Sequence, residues 1–409
     1  MTVGPLAGVR VVECTTVLLG PYCSQIMGDM GADVIKVETP HGDPVRYLGA
    51  ARHPGMSGMF LNANRNKRSM VLNLKEPAGL DAFNRLVGTA DVFLHNMRRQ
   101  AIQELAIDYP TLSHINPQLV YCHAYGFGRQ GPYRDFPAYD DVIQGASGMA
   151  MLQARLSGTP QYVASDVADK VTALMVLAGI LMALFHRERT GEGQEVEVPM
   201  FETMVSFNLL ENLYGAAFDP PVSDPVYPRV VARDRRPYRT ADGYISAIIY
   251  NDKQWERFFA VTGRQDLKED ARFNSFAERM CHIDVVYGMV ANLFQERTTA
   301  EWLKLLSKAE IPAMPLLDTA DLLTDPHLRA AQLFVERDHP SEGTVRVVDT
   351  PIRMSRTPSA IQRGAPRLGE HSVELLRELG YAEEEIGHLL DVGAIAASDA
   401  GSSGGGSGQ

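Results

Sequence analysis

The run from Val171 to Phe185 carries no charge, with Asp166, Asp169 and Lys170 just before it and His-Arg-Glu-Arg just after it. A run of that kind predicts a helix buried on nearly all sides, around which the rest of the chain must assemble. It is too short to span a bilayer. Such a helix is a rigid mount, and the positive end of its dipole and its unpaired N–H groups favour an anion at its start. Asp169 in that position can be a carboxylate kept ionised beside a ligand. It can equally be a helix cap. The local pattern leaves both readings open.

With 409 residues, 45% hydrophobic and 22% charged, the chain has enough apolar surface for about two domains. The net charge of -11, without a long Lys/Arg run, argues against a nucleic-acid partner. The first residues, MTVGPLAGVRVVEC, show no secretory leader, so a cytoplasmic protein without membrane attachment is expected. Cys14, Cys23, Cys122 and Cys281 have no CxxC or metal-ligand spacing and read as free thiols.

Short apolar runs alternate with amphipathic ones in the first half, which predicts βαβ units and a largely parallel sheet. Strands are expected at Val9–Cys14, Asp33–Val37, Asp91–Leu94, Leu119–Ala124 and Glu195–Val198. Between the first strand and its helix, TTVLLGPY offers only Gly20 where a dinucleotide fold needs several glycines, which argues against a nicotinamide or flavin enzyme. Arg65, Lys67 and Arg68 form a basic cluster that fits either a phosphate-bearing ligand or a solvated turn. GFGRQG, Gly126–Gly131, matches GxGxxG but is followed by Pro132, so it predicts a glycine loop at a strand end and no helix. Asp219–Asp234 and Thr324–Pro340 read as linkers around a smaller α/β unit. In that unit Thr298 and Glu301 form a capping box. The expected organisation is a large Rossmann-like domain begun by 1–218 and completed by 335–395. A small domain, 235–325, is inserted, and a disordered Gly/Ser tail follows at 397–409.

No HExxH, GxSxG, P-loop or zinc spacing occurs, so no metal is expected. A carboxylate nucleophile remains open, since Asp can attack an activated acyl group. Several motifs, taken together, resemble the class III CoA-transferase family, which includes related α-methylacyl-CoA racemases. They are PLAGVRVVE, LLGPYCSQIMGDMGADVIKVE, NRNKRSMVLNLK, AYDDVIQGASG, ADKVTALMVLAGILMALFHRERTGEGQEVEVPM, RTADGYI and RLGEH, in order from about Leu6 to Leu390.

The resemblance implies transfer of CoA from an acyl-CoA to a small carboxylic acid, with Asp169 as nucleophile, no permanently bound cofactor and an interlocked homodimer. Asp169 takes the catalytic position by its distance from the Thr190-Gly191 turn, leaving Asp166 as cap or loop. For CoA the resemblance points to the backbone of Val17, Leu18 and Leu19, to Leu72 and Lys75, and to Asn96 and Met97. Arg98 and Arg99 are candidate phosphate contacts where NMRRQ departs from the family's NFRPG. Tyr139 stands where the racemases carry a His, which favours transfer over racemisation because a neutral Tyr is a poor proton shuttle. Core packing is its other reading. ARDRRPYRTADG replaces a glycine-rich flap, against oxalate or formate as substrate. Arg235 and Arg236 could recognise a second carboxylate, making the acid dicarboxylic, or could simply be solvated. Two further readings stand beside transfer: racemisation, and a silent CoA-binding protein in which Asp169 is only a cap.

Overall fold

The computed structural model describes residues 4–398, so most of the Gly/Ser tail lies outside the described residues. The chain divides into two compact units. One comprises the residues up to Ser147, Ala164–Met204 and those from Arg329 on; the other comprises Gly148–Val163 and Val205–Leu328.

The first unit is built on a sheet of seven strands among the described residues. They are β1 (Arg10–Cys14), β2 (Asp33–Glu38), β3 (Lys67–Leu72), β4 (Val92–His95), β5 (Val120–His123), β6 (Gln194–Glu197) and a short C-terminal strand, Ile395–Ala396. The order is Ile395–Ala396, β3, β2, β1, β4, β5, β6. β1 to β6 are parallel, and only the C-terminal strand runs antiparallel, on β3. β3 is buried along its whole length, as expected of a parallel strand covered on both faces. Helix Pro77–Gly88 places Phe83, Leu86 and Val87 in the core with Val12, Ile35 and Phe93. Chain order reverses between β1 and β4, and at that switch point the loops beyond the strand ends leave a crevice for ligands.

The apolar helix runs from Val167 to Thr190. It ends at Gly191 in the left-handed conformation, φ 78°. Gly193 follows, where a Cβ would lie 2.3 Å from the Leu119 carbonyl oxygen, so the TGEGQ turn needs both glycines. The helix packs on helix Leu19–Asp29 and on β5 and β6. It is not buried on nearly all sides. Ala173, Val176, Ile180 and Ala183 face the core, while Leu174, Met175, Leu181, Met182 and Phe185 are exposed, Met182 by 70% and Phe185 by 65%. Apolarity without a periodic stripe could not tell a helix enclosed by its own chain from one with an uncovered apolar face. By length and composition this helix could cross a membrane, although its core-facing side is packed on protein.

Thr324–Pro340 is not a plain linker: it contains helix Pro326–Ala330 and strand Phe334–His339, which pairs antiparallel with Gly343–Val348. The second unit has its own core, in which Trp255, Phe258, Phe294 and Trp302 pack together. Its helix Thr299–Lys308 begins with the reciprocal Thr298–Glu301 capping box. A three-stranded antiparallel sheet, Tyr238–Arg239, Tyr244–Ala247 and Ala313–Pro315, completes it.

Candidate active site

The loop from β1 into helix Leu19–Asp29 lies at the switch point and is fixed residue by residue. Lys36 Nζ donates to the Thr15 carbonyl at 2.7 Å, and Asn96 holds Thr16 through both backbone groups, at 3.1 and 3.0 Å. Val17 N–H donates to Asp43 Oδ1 at 3.2 Å. Val17 has φ +67°, a conformation a β-branched residue adopts only at a cost, so the surrounding bonds must enforce it. Gly20 is required for contact: a Cβ there would sit 2.3 Å from Thr15 Cγ2.

Beneath this loop lies a fully buried charge network. Lys67 Nζ is 2.9 Å from Glu13 Oε1, and Lys36 Nζ is 3.0 Å from Asp43 Oδ2. Burial alone would raise the Glu13 carboxyl, but Lys67 and Lys36 outweigh it and hold it down to about 2. The basic cluster at the start of β3 is therefore spent inside the protein. Arg65 binds Asp29, Lys67 binds Glu13, and Arg68 binds Asp33, Glu374 and Glu378. Neither a phosphate nor a solvated turn accounts for it, because its partners come from distant parts of the chain.

Asp169 sits in the first turn of helix Val167–Thr190 and is half-buried. Asp166 occupies the N-cap position, but its side chain makes no capping hydrogen bond. Asp140 supplies the cap from another helix, its Oδ1 accepting from Asp169 N–H at 3.0 Å. Asp140 Oδ2 accepts from Gln144 Nε2 at 2.6 Å. Burial, followed by the charges of Asp140 and Asp166, pushes the Asp169 carboxyl up to about 7, with Lys170 opposing. The helix N-terminus therefore does not keep Asp169 firmly ionised. Burial, with two neighbouring carboxylates, works against the ionised form there.

Two cavities flank the loop, and Thr16 lines both. The smaller, about 560 Å³, is lined by Val17, Leu19, Asn96, Arg98, Tyr139 and Asp169. The larger, about 970 Å³, is lined by Leu72, Lys75 and Met97. Leu18 immediately precedes helix Leu19–Asp29. Tyr139 is 71% exposed, which removes the core-packing reading. Arg235 and Arg236 belong to the second unit, where Arg236 pairs with Asp234 at 2.9 Å. Gly126, in the glycine loop after β5, also lines the smaller cavity; a Cβ there would approach Ala138 Cβ to 2.4 Å. That loop forms no helix. Among the described residues, no group of three or more His, Cys, Asp or Glu is placed to hold a metal.

Sequence reasoning missed Asp140 and Arg134, and it offered Arg99 only as an alternative to Arg98 for a CoA phosphate. Asp140 stood inside a recognised motif, but its role as cap for a helix that begins 27 positions later had no local signature. Arg99 and Arg134 join Arg98 on the wall of the Asp169 cavity, although the two stretches lie far apart in sequence.

A parallel sheet in this order, with cavities at its switch point, defines an open α/β protein with its ligand crevice beyond the strand ends. The chain belongs to CoA-transferase family III, whose model matches residues 6–372, and it is an enzyme of that class. It is 35% identical over 393 residues to the succinate–glutarate CoA-transferase of Agrobacterium fabrum, covering 93% of this chain and 96% of that one. To the succinyl-CoA–L-malate CoA-transferase beta subunit of Chloroflexus aurantiacus it is 33% identical over 393 residues, covering 94% and 96%. A solved CAIB/BAIF family protein from Brucella suis matches with a TM-score of 0.77 at 31% identity, covering 92% of this chain and all of that one.

Proposed function

We propose that the protein moves CoA from an acyl-CoA to a carboxylic acid with Asp169 as the covalent nucleophile. An Asp169 carboxylate oxygen attacks the thioester carbon, the C–S bond breaks, and CoA leaves as thiolate from a mixed anhydride. The thiolate attacks Asp169 Cγ and expels the donor acid as carboxylate, leaving an aspartyl-CoA thioester. The acceptor carboxylate attacks Cγ and releases the thiolate. That thiolate takes the acceptor acyl group and restores Asp169. The observation that carries this reading is a carboxyl held near neutrality, on a rigid helix, in a cavity at the switch point. Val17, Leu18, Leu19 and Asn96 are assigned to the thiol-bearing arm of CoA, Arg98 to a CoA phosphate, and Leu72, Lys75 and Met97 to its nucleotide end. Tyr139 is assigned to the acyl pocket. Racemisation has less support: Asp140 is engaged with the Asp169 backbone and Gln144, and Tyr139 is a weak base.

We further propose a homodimer, supported by the uncovered apolar face of helix Val167–Thr190. No permanent cofactor is needed for this chemistry. A cytoplasmic location and cut points near 218, 235, 325 and 335 stand as parts of the same reading. The second-carboxylate role of Arg235 and Arg236 has thinner support, since Arg236 already has Asp234. The test is intact-protein mass after mixing with a panel of acyl-CoAs, with hydroxylamine or borohydride trapping. A modification mapping to Asp169 and absent from Asp169→Ala is expected. Clear CoA binding without modification by any donor would count against the covalent route.

A further inference from the structure

We infer that Arg99 recognises the distal carboxylate of a dicarboxylic acyl group, so that the substrates are dicarboxylic acids and their mono-CoA thioesters. This rests on reading the Asp169 cavity as the acyl site. Arg99 lines that cavity, and its guanidinium lies over the Tyr125 ring, 5.2 Å from the centroid. Its Nε and Nη2 are buried and have no hydrogen-bond partner among the described residues. These two atoms form one edge of the guanidinium, whose spacing matches the two oxygens of a carboxylate.

The same protein shows what that edge binds. Arg46 places Nε and Nη2 on the two oxygens of Glu38 at 2.8 and 2.7 Å. Arg65 does so with Asp29 at 3.1 and 2.6 Å, and Arg68 with Asp33 at 3.0 and 2.7 Å. Arg99 has no carboxylate from its own chain on that edge; its side chain rests on that of Tyr125, and the buried edge must turn into the cavity to meet a ligand. Nearby Glu195 is engaged through both oxygens by Arg129, at 3.0 Å each. Leaving a buried guanidinium edge unpaired is costly, and an incoming carboxylate removes that cost. Arg98 and Arg134, on the same wall, add positive charge that attracts a dianionic acid. A donor with its thioester at Asp169 would send its far carboxylate to this wall.

The test compares succinyl-CoA with butyryl-CoA as donors, for wild type and Arg99→Leu, Arg99→Lys and the Arg235→Ala/Arg236→Ala double variant. Both donors carry the same CoA, so a phosphate contact would cancel. Arg99→Leu is expected to lower kcat/KM for succinyl-CoA by about 100-fold, mainly through KM, and to leave butyryl-CoA within about threefold. Arg99→Lys should recover part of the loss. Trapping of the Asp169 adduct from butyryl-CoA shows that Arg99→Leu is folded and competent. Equal losses with both donors, or a selectivity change only in the Arg235/Arg236 variant, would overturn the inference and leave the transfer reading intact. Absence of any Asp169 adduct in wild type would remove both.

Discussion

Two acidic centres within one unit differ in every respect that decides their chemistry. Glu13 is enclosed, faces Lys67 and Lys36, accepts from Ser24 Oγ at 2.7 Å, and is held down to about 2. Asp169 is half-buried, has Asp140 and Asp166 as charged neighbours, and is pushed up to about 7. A carboxylate saturated by cations contributes to the framework and has no reactivity left to offer. One surrounded by its own kind is poised between its protonated and ionised forms. The two centres are linked by construction: the network of Glu13, Lys36 and Asp43 holds the strained Val17 loop that walls the Asp169 cavity.

The largest effect should come from removing the poised group. Asp169→Ala is expected to lower turnover by roughly a thousandfold or more, read as steady-state CoA exchange, with CoA binding retained. Turnover within tenfold of wild type would break the comparison at its centre. Glu13→Gln should instead act on the framework, leaving Lys67 and Lys36 buried without their shared counter-charge. A loss of about 3–5 kcal/mol in urea unfolding is expected, as when one partner of a buried ion pair is removed.

The pH dependences should also diverge. Glu13 has a lowered folded pKa, so its stabilisation is complete above the ordinary value of 4.5 and is lost as pH falls towards about 2. Asp169 has a raised one, so the folded state binds the extra proton between 3.8 and about 7, and stability falls as pH rises through that window. Asp169→Asn should therefore raise Tm at pH 8. After discounting for solvent screening the gain is on the order of 1 kcal/mol, about 1–2 °C for a chain of this length. The gain should vanish below about pH 4, and a thermal melt series settles it. Turnover should fall below about pH 7 as Asp169 protonates. Asp166→Asn, the smallest change, removes one like charge and should move that acid limb downward by a fraction of a pH unit; an upward move would contradict the assigned cause of the shift.

Much of the frame was legible in the sequence because its signals are local. Strands β1, β2, β4, β5 and β6, the Thr298 capping box, the helix-free glycine loop and the Thr190-Gly191 turn follow from periodicity, proline and glycine placement. Arg65, Lys67 and Arg68 were read as facing either a phosphate or solvent, and neither held, because a basic cluster looks the same in sequence when its partners are carboxylates brought from thirty to three hundred positions away. The short final strand on β3 gave too few residues for any period to register.

The order of motifs by itself determined the fold family, the parallel sheet and the position of Asp169 before an apolar helix. Only the tertiary structure decided the electrostatics. It set Asp140 against the Asp169 backbone, left a buried edge of Arg99, a residue lining the same cavity, without a carboxylate, and exposed one face of the long helix. Periodicity and motif spacing are properties of neighbouring residues. Burial and charge pairing depend on which distant residues the fold brings within a few ångströms, and they fix whether a carboxylate is structural or reactive.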